Sequence, residues 1–365
     1  MVSTSYPASG DDWRGVFIRH LTDALARRSD IALQVWCPPG EMSTKVEQTM
    51  SSGDVAWLSS LMRDGGIAHQ MRNGGVQGKL RSIGLLFRLR QLYQRVPALD
   101  VRHVNWLQNA LVIPSDNVPL LATVLGSDMK LLQLPGMGWA MRRIFRRHRT
   151  VIAPNAQWMV PELVARFGGD AEVQYVPFGI DPSWFEVRRD SVEPMDWVCV
   201  SRVTEAKVGK LLTWFQALAL RGERLHLFGP MQEAVSLPDW VTFHGPVTAA
   251  ELRERWFGLA CGLITLSQHA EGRPQVMLEA MAAGLPIIAS AIPAHIDLLQ
   301  HGITGWLCHE AADVEQGVAE LSDPEVNRRI GKAARQWCRT HVGTWDDCAG
   351  RYVDLYRYLA PTTSS

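Results

Sequence analysis

Long apolar runs, an excess of charge of either sign and paired cysteines are all missing from this 365-residue chain, and each absence removes a class of protein. No apolar run approaches the roughly 18 residues that cross a bilayer as a helix. The first residues also lack the basic start, apolar centre and small-residue cleavage site of a secretory leader. A cytoplasmic chain is therefore expected. Lys and Arg number 37 and so do Asp and Glu, so no whole-molecule attraction draws it to nucleic acid, and no nucleic-acid partner is expected. The six cysteines, Cys37, Cys199, Cys261, Cys308, Cys338 and Cys348, contain no C-x-x-C pair and lie mostly in apolar stretches. They read as buried thiols of a reducing compartment. Asp-x-Asp is absent, and no His, Asp and Glu cluster has metal-ligand spacing, so no metal and no resident cofactor is expected.

What is present is apolar material in short, regularly interrupted runs. With 47% of its residues apolar, a chain of this length buries a large core and divides more naturally into two domains than one. β-branched or apolar runs alternate with helical patterns throughout, the mark of a parallel sheet covered by helices on both faces. The fold class is thus α/β. Strands are expected over residues 2–6, 31–36, 101–106, 119–123 and 150–153, a helix over 16–28, and loops over 42–53 and 65–78. Turn composition at 178–182 ends the first domain. Strands follow at 197–201, 225–228, 241–243, 262–265 and 286–290, with helices at 208–220, 249–257 and 276–283 and a helical tail from 324. The charge is uneven: residues 1–185 carry a net of about +5 and the remainder about −5.

The most informative segment runs Glu271-Gly-Arg-Pro-Gln-Val-Met-Leu-Glu279, after a strand and into a helix. Unpaired N–H groups at a helix start form an anion site, and Gly272 admits a ligand close to the backbone. Glu271 would face a sugar, and Glu279, about two turns on, would accept hydrogen bonds from a vicinal diol such as ribose. Upstream, the strand over 197–201 ends in Arg202-Val-Thr-Glu-Ala-Lys207, two cations at the carboxyl end of a strand, where open α/β sheets bind ligands. Both could neutralise a departing diphosphate, the role a divalent metal plays elsewhere. His269, as a lone histidine, reads as a structural hydrogen-bonding group.

Arg202 and Lys207 at a five-residue offset, Phe243-His-Gly245-Pro-Val247, the Glu-x7-Glu of Glu271 and Glu279, Ala280-Met-Ala-Ala-Gly284-Leu-Pro286 and Gly302-Ile-Thr-Gly305 resemble, in order and spacing, the donor domain of family 4 (group 1) of the retaining glycosyltransferases. The resemblance covers most of residues 177–345. It implies the GT-B fold, two Rossmann-like domains facing each other across a cleft: an acceptor domain over 1–180, a donor domain over 181–345, and a helix over 346–365 crossing back. It further implies that Arg202 and Lys207 hold the diphosphate of a UDP- or GDP-sugar and that Glu279 holds the ribose. Glu271 with the backbone of Gly272, Arg273, Pro274 and Gln275 would hold the sugar, and Val247 would border the base. Arg273-Pro274 stands where the family often has an aromatic residue, and Val208 separates Lys207 from Gly209.

The first half resembles the family less. Gly15 alone occupies the usual Gly-Gly pair of the loop facing the donor phosphates, and Leu125 replaces the histidine of a His-Gly-x-Asp ending at Asp128. His103 or Asn105 is therefore expected to face the acceptor beside Asp128. Two basic amphipathic stretches, residues 81–95 and 142–149, fit peripheral contact with an anionic membrane, which accompanies lipid-linked acceptors in the family. The expected activity is a metal-independent, retaining transfer of a hexose-type sugar to a hydroxyl of a glycan or glycolipid, in bacterial surface polysaccharide synthesis. A sugar-nucleotide epimerase of the same fold and a non-catalytic partner subunit are the alternatives.

Overall fold

The computed structural model describes residues 1–10, 12–63, 75–96, 99–189, 193–269 and 271–360. It consists of two compact units, one formed by Met1–Phe178 with Trp345–Ser365 and the other by Gly179–Thr344. No helix among the described residues is long and apolar enough to cross a membrane.

The first unit is built on a parallel sheet of β3 (Arg102–Asn105), β4 (Leu120–Val124), β5 (Thr150–Pro154) and β6 (Glu172–Val173). Beside it β1 (Leu33–Val35) pairs with β2 (Val46–Gln48). Val2 bridges both Trp36 and Val104, so the chain start lies between β1 and β3. The expected strand over 2–6 shrinks to that bridge, and the loop expected over 42–53 contains β2 and the start of a helix. Of the loop expected over 65–78, residues 65–74 lie outside the described residues and the rest begin a helix.

Alternation along β4 sets up two apolar layers. Leu120, Ala122 and Val124 join Leu58 and Leu61 of α2 (Ser52–Arg63), Leu85, Leu89 and Leu92 of α3 (Gly75–Arg95), and residues of α5 (Met137–Phe145) and α6 (Val160–Phe167). Between β4 and α5 lies the short α4 (Ser127–Leu131). Leu121, with Val151 and Ala153 of β5, joins α1 (Val16–Ala26) and the C-terminal helix Trp345–Leu359.

The second unit holds six parallel strands in the order β12-β11-β10-β7-β8-β9. They are β7 (Glu193–Val200), β8 (Arg224–Phe228), β9 (Val241–Gly245), β10 (Ala260–Thr265), β11 (Ile287–Ser290) and β12 (Trp306–Cys308). In chain order this is 3-2-1-4-5-6 read from β9, the doubly wound arrangement whose switch point lies between β7 and β10. One face packs on α8 (Gln275–Ala283) and α11 (Pro324–His341), the other on α7 (Glu205–Ala219) and α10 (Ala311–Leu321), with α9 (Pro293–Ile296) short and between β11 and β12. The β7–β10 pairing sets Gly262 opposite the fully buried Trp197. A Cβ at residue 262 would stand 2.5 Å from that ring, so glycine is what lets the indole fill the layer.

Candidate functional site

At the switch point of the second sheet, β7 ends and the chain passes through Ser201 and Arg202 to Thr204, the N-cap of α7. One turn into the helix, Lys207 Nζ lies 2.8 Å from Glu271 Oε1, with the two side chains 12% and 17% exposed. The apolar neighbour Val208 explains its own presence after Lys207: it is fully buried with Leu211 and Phe215 against the sheet. Arg202 donates to Gln232 Oε1 at 3.4 Å. Burial pushes the Glu271 carboxyl up, but the Lys207 ammonium more than offsets this and holds it below the ordinary glutamate range.

Glu271 reaches this position from the end of β10. The loop is tied down on three sides: Gln268 N–H donates to Ala206 O (2.8 Å), Ser290 Oγ donates to Ser267 O (2.6 Å), and Ser267 Oγ lies 3.4 Å from Glu271 Oε1. His269 N–H donates to Ser267 Oγ at 3.1 Å, so its backbone serves this loop. His295, which the sequence did not single out, is 1% exposed beneath the loop, with Nδ1 2.9 Å from Ser290 O. Burial lowers its pKa and keeps the ring neutral.

After Glu271, Pro274 is the N-cap of α8, and Gln275 Nε2 donates to Gly179 O at 2.9 Å. Glu279 lies half-buried on this helix; burial first, and then the Asp181 carboxylate, push its carboxyl up to about 7. Asp181 itself accepts from Ser183 N–H at 2.9 Å. Arg273 behaves differently from its neighbours: its side chain is 1% exposed, with Nη1 3.6 Å from Asp297 Oδ2. Only its backbone is left to meet a ligand. Val247 follows β9 and packs on the apolar layer that includes Phe228.

In the first unit, Gly15 precedes α1 with φ 72°, and a Cβ there would lie 2.5 Å from Ser5 Oγ and 2.9 Å from the Tyr6 backbone, so no other residue fits. The three residues expected to face an acceptor are instead enclosed. His103 is 3% exposed, with Nδ1 2.7 Å from Tyr356 Oη and Nε2 2.8 Å from Thr123 Oγ1, and its ring stacks on Tyr352. Burial pushes its pKa well down. Asn105, fully buried, donates to Val2 O. Asp128 accepts from Leu107 N–H at 2.7 Å and Leu125 N–H at 2.8 Å, and burial raises its carboxyl to about 6 against the pull of those bonds. These are the fastenings of the β3 and β4 ends, and none presents a polar group to a ligand. Between them sits Trp106, with φ 67° the only non-glycine residue of positive φ among those described. That conformation is held by the Asp128 anchor on the next residue and by packing of the indole on Phe17.

The family model for Glycosyl transferases group 1 matches residues 195–323, the span that carries Arg202, Lys207, Glu271 and Glu279. Over that span the chain is similar to the group 1 glycosyltransferases. It is 28% identical over 275 residues to the GDP-mannose-dependent alpha-(1-6)-phosphatidylinositol monomannoside mannosyltransferase of Mycobacterium tuberculosis, covering 65% of this chain and 71% of that one. Among solved structures, it superposes on the sucrose-phosphate synthase of Thermosynechococcus elongatus with a TM-score of 0.67 at 18% identity, over 94% of this chain and 92% of that one. For Anabaena HepE in complex with UDP the TM-score is 0.65 at 14% identity, over 97% and 98% of the two chains. These likenesses establish the GT-B fold for this chain.

Proposed function

We propose that the protein is a glycosyltransferase that moves a hexose-type sugar from a UDP- or GDP-sugar to a hydroxyl of a glycan or glycolipid, with retention at the anomeric carbon. The observation that carries the reading is the Lys207–Glu271 pair at the switch point of the second sheet, a cation and a carboxylate at the head of two helices. A diphosphate arriving there would take over the Lys207 ammonium, helped by Arg202, and release Glu271 to accept hydrogen bonds from sugar hydroxyls. The two cations would balance the charge that grows as the nucleotide leaves, the task a metal performs in other transferases, so we propose metal-independent turnover. The acceptor oxygen would bond to the anomeric carbon on the face from which the diphosphate departs, and its proton would pass to the departing phosphate. The M. tuberculosis relative is named as dependent on GDP-mannose and HepE is described with UDP, which supports a nucleotide-sugar donor and leaves both bases for test.

A lipid-linked acceptor, in surface polysaccharide synthesis, draws support from the first unit. Leu80, Ile83 and Phe87 form a stripe on α3, each 62–64% exposed, and Trp139 on α5 is 68% exposed. The basic stretches contribute less charge than their composition promises, because Arg88 and Arg95 are spent on the buried Asp54, and Arg142 and Arg146 on Asp170.

Titration of the protein's melting temperature with UDP, GDP, ADP and their sugars tests the donor: one base should stabilise wild type, by about 2.7 kcal/mol at a hundredfold excess over Kd, and should fail with Lys207→Ala. Glu271→Gln should lower kcat far more than it weakens nucleotide binding; an unchanged rate would remove Glu271 from the reaction. Flotation with anionic against neutral vesicles, repeated with Phe87→Ser, checks the membrane contact.

A further inference from the structure

A crevice of about 290 Å³ opens in the second unit where the carboxyl ends of β10, β11 and β12 meet the second turn of α7. Its lining includes Lys210, His309 and the Gln268 amide, with the buried hydroxyl residues Ser267 and Ser290, and contains no carboxylate. Lys207 and Glu271 do not line it. The ends of parallel strands are where such sheets bind ligands, and the donor reading uses β7 and the loop after β10, leaving β11 and β12 without an occupant. A wall bearing a lysine, a histidine and an amide, with the Asp313 and Glu271 carboxylates set behind it against His309 N–H and Ser267 Oγ, suits a small, highly charged anion.

This crevice shares structure with the reactive pair. Lys210 stands three residues beyond Lys207 on α7, neighbours on one helical face. Ser267, in its lining, lies 3.4 Å from Glu271 Oε1, and Ser290, also in its lining, holds Ser267 O at 2.6 Å. Gln268 is fixed to Ala206, the residue before Lys207. An anion at Lys210 would therefore sit close to a bound diphosphate of the same sign and would move the loop that carries Glu271, both of which oppose donor binding.

We propose that the crevice is a second anion site, for phosphate or the phosphate group of a small phosphorylated metabolite, and that its occupant weakens nucleotide binding at Lys207 and Glu271. The anion site stands independently of the proposed donor; the antagonism rests on that reading. Titration with inorganic phosphate, glucose 6-phosphate and glucose separates the two sites when done in a Lys207→Ala background, where phosphate binding at the donor site is removed. Phosphate and glucose 6-phosphate should still raise the melting temperature and glucose should not; the tighter of the two identifies free ion or esterified group. Adding Lys210→Ala should weaken that binding about tenfold, the loss of one charge-assisted contact, whereas Lys210→Arg should keep it. Binding untouched by Lys210→Ala overturns the site. In the otherwise wild-type protein, phosphate should raise the nucleotide Kd about fivefold more than it does in Lys210→Ala, at the low end of allosteric coupling. Equal effects in the two proteins overturn the antagonism. Failure of every nucleotide to bind wild type would instead refute the donor reading and leave the phosphate result intact.

Discussion

Near neutral pH Glu279 carries a proton part of the time, because its surroundings push its carboxyl up to about 7. A ribose diol donates hydrogen bonds and is held best by the ionised form, so nucleotide binding should expel that proton. Affinity is expected to rise with pH up to about 7, by up to about tenfold per unit; calorimetry across pH 5.5 to 8 checks this, and Glu279→Gln should flatten the profile. Folding stability has the opposite slope. The unfolded carboxyl ionises near its ordinary value while the folded one stays protonated until about 7, so the folded state binds more protons in between and loses stability as pH rises through that window. At the neighbouring pair, Lys207→Met would leave Glu271 largely enclosed without its cation and should cost about 1–2 kcal/mol in urea denaturation, besides abolishing nucleotide binding. The strand-end placement of Lys207 and Glu271 was legible in the sequence, because both sit at fixed offsets from the apolar runs of β7 and β10. The burial of Arg273 was not legible: its partner Asp297 lies beyond α8 and β11, a distance along the chain that local pattern does not span. The positive φ of Trp106 was equally hidden, since nothing about a tryptophan announces a conformation imposed by Asp128 across 22 residues.

Strands and helices of the second unit were readable because residues 197–200, β10 and β11 are apolar runs separated by helical stretches, and a fully buried parallel strand needs little else. The first unit was harder. His103, inside a run that reads as a strand leading to a site, is instead claimed by the helix Trp345–Leu359: Tyr352 and Tyr356 arrive from some 250 residues away and close a network with Thr123. Tyr356→Phe removes one bond of that network and should cost about 1 kcal/mol, and His103→Ala, which strands Tyr356 and leaves Thr123 only its bond to Tyr352, about 2–3 kcal/mol; chemical denaturation followed by tryptophan fluorescence would rank them. In the second sheet the contact between β7 and β10 is steric. Gly262→Ala would drive a methyl into Trp197 and the Pro286 carbonyl and should lower the denaturation midpoint by the equivalent of about 1–3 kcal/mol, with Lys207 and Glu271 chemically untouched.

Each unit encloses its own apolar layers. Among the described residues, the layers of the second unit draw only on residues between Ile180 and Val342, and those of the first only on residues up to Phe178 and from Trp345 onward. A fragment of residues 179–344 is therefore expected to fold alone and to bind the nucleotide that stabilises the whole chain; circular dichroism melting with and without ligand checks this. A chain truncated after residue 344 should lose the cooperative transition of the first unit while keeping that of the second, because Cys348, Ala349, Tyr352 and Val353 fill the layer beneath α1 and β1.

The return of Trp345–Leu359 to the first unit also sets an order of birth. Domains commonly fold N-terminal first as the chain is made, at about 5–20 residues per second. Here the earlier-made unit waits for its last helix while all of the later one is translated, a delay on the order of ten seconds or more. During that wait the apolar faces of α1, β1 and β4 lie uncovered on the ribosome, so the nascent chain should recruit holding chaperones until Trp345–Leu359 emerges, and a ribosome stalled before that helix emerges should shed an aggregating product even though the second unit is complete.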